Sequence, residues 1–180
     1  AGQAGSLLLW AWILSIYVLI SVPKSLKKIL PASKIAGAFV LVFFLYLISF
    51  VESPFETTSE QIINGRGLNP ILQNIYMSIH PLSLYLGYIS LTIPFSFGLG
   101  ALISKDGSSD WIKISKKWTY FSWTFLSIGL LLGSRWAYLE LGWGGYWAWD
   151  PVENVALMPW LLLTAFLHSS YAQEEKNVLK

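Results

Sequence analysis

Long uncharged runs alternate with short charged segments along this chain, and the spacing of the two carries most of its structural information. Five apolar stretches approach the ~20 residues that cross a bilayer as a helix: about 4–22, 35–51, 81–103, 118–141 and 155–172. The first is free of charge, and the fourth is interrupted only near its far end, by Arg135 and Glu140. The pattern predicts an all-α, polytopic integral membrane helix bundle of about five transmembrane helices forming a single domain over residues 1–180. Pro94, inside the third stretch, predicts a kink there. No fixed repeat or low-complexity segment is visible.

The polar segments set the orientation. Residues 23–34 carry Lys24, Lys27, Lys28 and Lys34; residues 104–117 carry Lys105, Lys113, Lys116 and Lys117; the tail carries Lys176 and Lys180. Ten of the twelve basic residues therefore share one side. The other side has Arg66 and Arg135, with Glu52, Glu56, Glu60, Glu140, Asp150 and Glu153. The amino terminus is expected outside and the carboxyl terminus inside, which requires an odd number of crossings. The first stretch lacks a basic flank and a small-residue exit, so it does not read as a signal peptide. The chain opens at Ala1 rather than Met, directly into an apolar run, as a processed chain or a piece of a longer one does.

Two outer segments remain. In the loop 52–80, Asn69 fits an N-cap and Pro70 a first helical position. Ile71, Leu72, Ile75, Tyr76 and Ile79 then share one face opposite Gln73, Asn74 and Ser78, which predicts a short helix lying along the membrane surface and leading to His80. The second outer segment is 138–160.

Composition narrows the chemistry. Hydrophobic residues make up 54% and charged residues 12% of the 180, half the charge of an ordinary soluble domain. A net charge of +2 offers no electrostatic footprint for nucleic acid. The absence of cysteine excludes a disulfide, a thiolate metal site, a cysteine nucleophile and covalent haem attachment to this chain. Half of the ten tryptophans fall within 25 residues: Trp136, Trp143, Trp147, Trp149 and Trp160. Between them, Gly142, Gly144 and Gly145 let the backbone bend and let something flat approach closely. Trp143, Tyr146, Trp147 and Trp149 suit a platform for a large, flat, amphipathic ligand such as a porphyrin. The plainer reading is an interfacial aromatic belt, and Trp10, Trp12, Trp111 and Trp118 are read that way. Asp150-Pro151-Val152-Glu153 reads as a capping box opening the last helix. That helix N-terminus would face the platform and could receive carboxylates such as haem propionates. Arg135 could do the same, or simply snorkel to the surface.

The chain has two histidines. His80 stands at the outer start of the third stretch, and His168 lies inside the fifth, ~13–20 Å below its outer end. An ionisable group at that depth is a functional candidate, and neutral imidazole is a common axial ligand of haem iron. A hydrogen bond to a neighbouring helix and a surface position are the plainer readings of His168 and His80. One at the surface and one deep, they cannot share one iron. If both are ligands there are two haems, each lacking a second ligand from this chain.

The run 132–160, LGSRWAYLELGWGGYWAWDPVENVALMPW, resembles the tryptophan-rich WWD signature of haem-handling proteins, most closely the CcmF family of cytochrome c-type biogenesis proteins. GSLLLW at 5–10, NPILQN at 69–74 and HPLSLYLGY at 80–88 agree in order. The resemblance implies a bacterial or mitochondrial inner-membrane subunit of a cytochrome c haem lyase. Such proteins take haem b from a haem chaperone and present it to apocytochrome c, whose thiols add to the haem vinyl groups, with other lyase subunits assisting. It implies that His80 is one axial ligand of the transferred haem at the outer face. It likewise implies that His168 is one ligand of an intramembrane haem b that keeps the first reduced, the partner of each lying beyond Lys180. Leu82 replaces a second proline of the family, and Ala148 replaces a ring of its usual signature. The family's first spans and second half are absent, as in a fragment or one product of a split gene, and isolated lyase activity is not implied. A haem transporter using the same platform, and a non-catalytic scaffold of the assembly complex, are the rival readings. The first needs a polar path through the helices; the second predicts no haem. An electron carrier of the quinol-oxidase type fits less well, since it places both axial histidines inside the membrane.

Overall fold

The computed structural model describes residues 2–21, 25–57, 64–65 and 67–176, the side chains of 174–176 excepted. Val22, Lys24, Glu60, Arg66 and Lys180, and the side chain of Lys176, lie outside the described residues. Most of the described residues are helical, and none of them is in a strand. Six α-helices follow in order: α1 Gln3–Ile20, α2 Leu30–Phe50, α3 Ile75–Ser90, α4 Thr92–Ile103, α5 Asp110–Glu140 and α6 Pro151–Lys176. A short 3-10 turn, Pro70–Leu72, precedes α3.

Four helical units are long and apolar enough to cross a membrane: α1, α2, the α3–α4 pair from Ile75 to Ile103, and α6. The fourth predicted stretch corresponds to α5, which is 31 residues long, about 46 Å at 1.5 Å per residue. It is less apolar because it carries the bundle's polar contacts. Ser115, Thr119 and Ser122 are completely buried on it. Thr119 and Ser122 donate to carbonyls four residues back, and Ser122 also meets Ser90 at 2.6 Å. Trp123 Nε1 donates to Thr164 Oγ1 at 2.9 Å, and Trp160 Nε1 to Ser127 Oγ at 2.7 Å. These two bonds run antiparallel between α5 and α6, with the two indoles stacked 5.8 Å apart.

Glycines set the pairing of α3 with α5. A Cβ on Gly87 would come within 2.8 Å of Leu126 Cγ, and one on Gly129 within 2.5 Å of Leu84 Cδ2. Helices that cannot use the hydrophobic effect against lipid associate through such close approaches and interhelical hydrogen bonds. Leu84 and Leu126 join Ala156 and Leu163 in one core cluster. The other cluster gathers Leu14, Tyr17, Ile29, Ile93 and Phe97.

Several boundaries differ from the sequence expectation. The surface helix does not form as one piece. Asn69 caps only the 3-10 turn, its side chain accepting from the Ile71 amide at 3.2 Å. Asn74, expected on a polar face, is a second N-cap that accepts from the Tyr76 amide at 2.9 Å. It starts α3 six residues before Pro81, so the proline lies inside the helix. The break in the third stretch falls at Leu91, between α3 and α4. Pro94 is the third residue of α4 and offers no amide to the carbonyl of Ser90. Of the four tryptophans read as a belt, Trp12 is exposed, but it is the tenth residue of the 18-residue α1, mid-helix rather than at a helix end, and the other three pack against neighbouring helices. Trp10 packs inside against Phe44, Tyr85 and Tyr88. Trp118 meets Tyr17 and Phe121, and Trp111 packs on the same core cluster.

The loops after α1 and α4 meet at one end, where Lys28 Nζ lies 3.6 Å from Asp106 Oδ1 and donates to the Lys105 carbonyl. The loops before α3 and after α5 meet at the other, where Asn74 Nδ2 donates to Glu140 Oε1 at 2.7 Å.

Candidate functional site

Beyond Glu140 the chain turns extended at Leu141, and Gly144 takes a positive φ of 67° that its missing Cβ permits. Trp149 also has a positive φ, 60°. That region is costly for a bulky residue. The Trp149 carbonyl is held by Asn154 Nδ2 at 3.1 Å. Immediately after it, the reciprocal capping box closes α6. The Glu153 amide donates to Asp150 Oδ1 at 2.7 Å, and the Asp150 amide donates to Glu153 Oε2 at 3.3 Å. Glu153 Oε2 also accepts from the Ala148 amide at 2.8 Å, which locks the strained turn onto the helix start.

A small cleft of about 70 Å³, open on one side, lies between this segment and the adjoining ends of α3, α5 and α6. That is below the roughly 300–1,000 Å³ of drug-sized ligand pockets, so this chain walls only part of any large flat ligand. His80 and Leu84 line it from α3, Gly133 and Ala137 from α5, Trp143 and Trp147 from the α5–α6 connection, and Val152 and Ala156 from α6. His80 is not at the helix start as expected but in the second turn of α3. Its Nδ1 lies 3.0 Å from the Gly129 carbonyl oxygen. A carbonyl only accepts, so Nδ1 carries the proton and Nε2 keeps its lone pair. The ring lies nearly parallel to Trp136, centroids 6.4 Å apart, and Trp136 is fixed through its Nε1 to the Ile71 carbonyl at 3.1 Å.

The four rings of the expected platform do not lie together. Trp143 and Trp147 line the cleft; Tyr146 and Trp149 do not. Tyr146 stacks on Tyr138 at 4.4 Å, and Arg135 donates to its hydroxyl at 3.4 Å while standing over the Tyr138 ring. Trp149 is 69% exposed and meets Trp147 edge-on. Trp147 Nε1 is buried without a hydrogen-bond partner among the described residues. Asp150 and Glu153 both face the cleft. An incoming carboxylate would meet two of its own sign at the start of α6, whereas Arg135 offers a cation on the Tyr138–Tyr146 side.

His168 is exposed on α6 and has no hydrogen-bond partner among the described residues. It lies twelve residues beyond Ala156, about 18 Å along the helix. His80 and His168 are therefore not brought together. Gly129 and Gly133 are site residues that the sequence reading passed over, and the tryptophan cluster includes Trp136 without a role beside His80. Gly129-Leu130-Leu131-Leu132-Gly133 is a GxxxG pattern, the available signal of a close helix contact. The donor chemistry at His80, a carbonyl-bonded imidazole with its second nitrogen free beside an apolar cleft, fits axial ligation of haem iron.

The family model for Cytochrome C assembly protein matches residues 2–180. The chain belongs to this cytochrome c assembly family. Among its members, the chain is 44% identical to the cytochrome c-type biogenesis protein ccl1 of Rhodobacter capsulatus, covering 98% of this chain and 27% of that protein. It is 41% identical to the cytochrome c-type biogenesis protein CcmF of Escherichia coli, covering 98% of this chain and 28% of that protein. A solved structure described as Cytochrome c Heme Lyase CcmF superposes with a TM-score of 0.85 at 34% identity, covering 99% of this chain and 28% of that one. The chain thus spans about a quarter of the length of the family members it matches. The match takes in every helix, so the cleft and both histidines fall within the shared region of the family.

Proposed function

We propose that this chain is the haem-holding part of a cytochrome c haem lyase, seated in an energy-transducing inner membrane and exposing its cleft on the outer side. His80 gives one axial bond through Nε2, and Trp143 and Trp147 wall the ring. Arg135, not the α6 terminus, receives a propionate, because the capping carboxylates occupy that terminus. His168 gives one ligand to a second haem b in the membrane, with both missing ligands supplied by other parts of the full-length protein. Haem b arrives from a haem chaperone as cargo and leaves joined to apocytochrome c, each cysteine S–H adding across a vinyl double bond with no net oxidation. The residues of this chain position the cargo; they form no bond to its periphery. Other lyase subunits complete the assembly. The Lys28–Asp106 end faces inside and the cleft end outside, with five crossings, α5 included.

The tautomer and placement of His80 carry this reading. The test is a reduced-minus-oxidised absorption spectrum of the full-length protein with His80→Ala and His168→Ala beside it. Loss of one haem pool in each variant is the expected result. Full haem content in both would leave the cleft as scaffold.

A further inference from the structure

The room that the His80 ring occupies exists only because residue 133 has no side chain. A Cβ built there would come within 2.7 Å of both Cε1 and Nδ1 of His80. One turn earlier on α5, the Gly129 carbonyl takes the Nδ1 proton at 3.0 Å. Helical spacing of four residues puts both groups on one face of α5. One fixes the rotation of the ring through a hydrogen bond, and the other fixes its depth through contact. The parallel Trp136 indole, pinned to the Ile71 carbonyl, stands alongside.

We propose that Gly133 is a positioning residue for His80: its missing side chain, with the Gly129 carbonyl, sets the plane of the imidazole and presents Nε2 to the cleft. This rests on the axial-ligand reading of His80 for its functional meaning, but the contact itself is testable without haem. The same helix pair supplies a matched control. A Cβ on Gly87 would meet Leu126 Cγ at 2.8 Å and its amide nitrogen at 2.9 Å, a comparable clash away from the histidine.

Gly133→Ala and Gly87→Ala are compared in the full-length, detergent-purified protein, with haem b as the probe. Gly133→Ala should weaken haem binding at the outer site at least fivefold and move its reduced-state band or midpoint potential, while Gly87→Ala stays within twofold and keeps the band. Melting of the haem-free protein gives the second readout. The Tm loss from Gly133→Ala should shrink by half or more in a His80→Ala background, where the ring it strikes is gone; the loss from Gly87→Ala should be the same in both backgrounds. An undiminished Gly133→Ala loss without the ring, or equal effects of the two alanines on haem, overturns the proposal. Full outer haem in His80→Ala alone instead overturns the axial reading, and the melting comparison still decides whether Gly133 positions the ring.

Discussion

At the scale of single residues, the site combines one ring that is held and one backbone that is strained. His80 is held on Nδ1, so His80→Ala should abolish the outer haem pool while leaving the bundle folded, measured by haem content against helical circular dichroism. Trp149 is the strained position, with a bulky side chain at φ 60° and few contacts besides Trp147. Trp149→Gly should raise stability by about 1 kcal/mol through relief of that conformation. It should also weaken haem retention, because Trp147 loses its edge contact. Denaturation midpoints and haem titration would separate the two effects. The Glu153 carboxylate accepts from two amides of the turn, those of Ala148 and Asp150, so Glu153→Ala should cost about 1 kcal/mol, typical of a lost cap. The capping box was legible in the sequence because it is local: four consecutive residues specify it. The setting of His80 was not, because Gly129, Gly133 and Trp136 reach it from another helix, some fifty residues away in the chain.

At the scale of elements, α5 organises the rest. Its Ser122, Ser127 and Trp123 find hydrogen-bond partners on neighbouring helices, and its glycines admit α3. Trp160→Phe keeps the ring and removes the bond to Ser127, so it should cost about 0.6 kcal/mol, the average for such bonds in membrane bundles; unfolding in mixed micelles would measure it. Hydropathy located the helices because lipid-facing residues dominate their composition. It missed where α3 begins, since Asn69 and Asn74 both look like caps and only the second starts an α-helix. It also missed the packing of Trp10 and Trp118, because a half-buried indole between helices and one at a membrane interface are the same letter.

At the scale of the whole molecule, charge separates to the two ends. Lys28, Lys105 and Asp106 meet at one; Asn74, Glu140, Asp150 and the cleft lie at the other. The proposed orientation places the second end outside. The sequence contains no cysteine, so single replacements report cleanly. In intact cells a membrane-impermeant maleimide should label Ser53→Cys and spare Ser108→Cys, and membrane disruption should expose the latter. The reverse pattern would invert the topology. The separation of ends was legible from the lysines alone, because positive charge is segregated along the sequence as well as in space. That His80 and His168 cannot serve one iron was legible too, from counting residues down a helix.

The bond between His80 and the Gly129 carbonyl has a thermodynamic side. A free side chain gives up roughly 0.5–1.5 kcal/mol of rotamer freedom when a ligand immobilises it. The His80 ring has surrendered that freedom during folding. Any metal that takes Nε2 therefore meets a preorganised donor, and on leaving returns no entropy to the ring. The ordering cost is absent from the binding step, so the same coordinate bond holds its metal more tightly than it would on a mobile side chain.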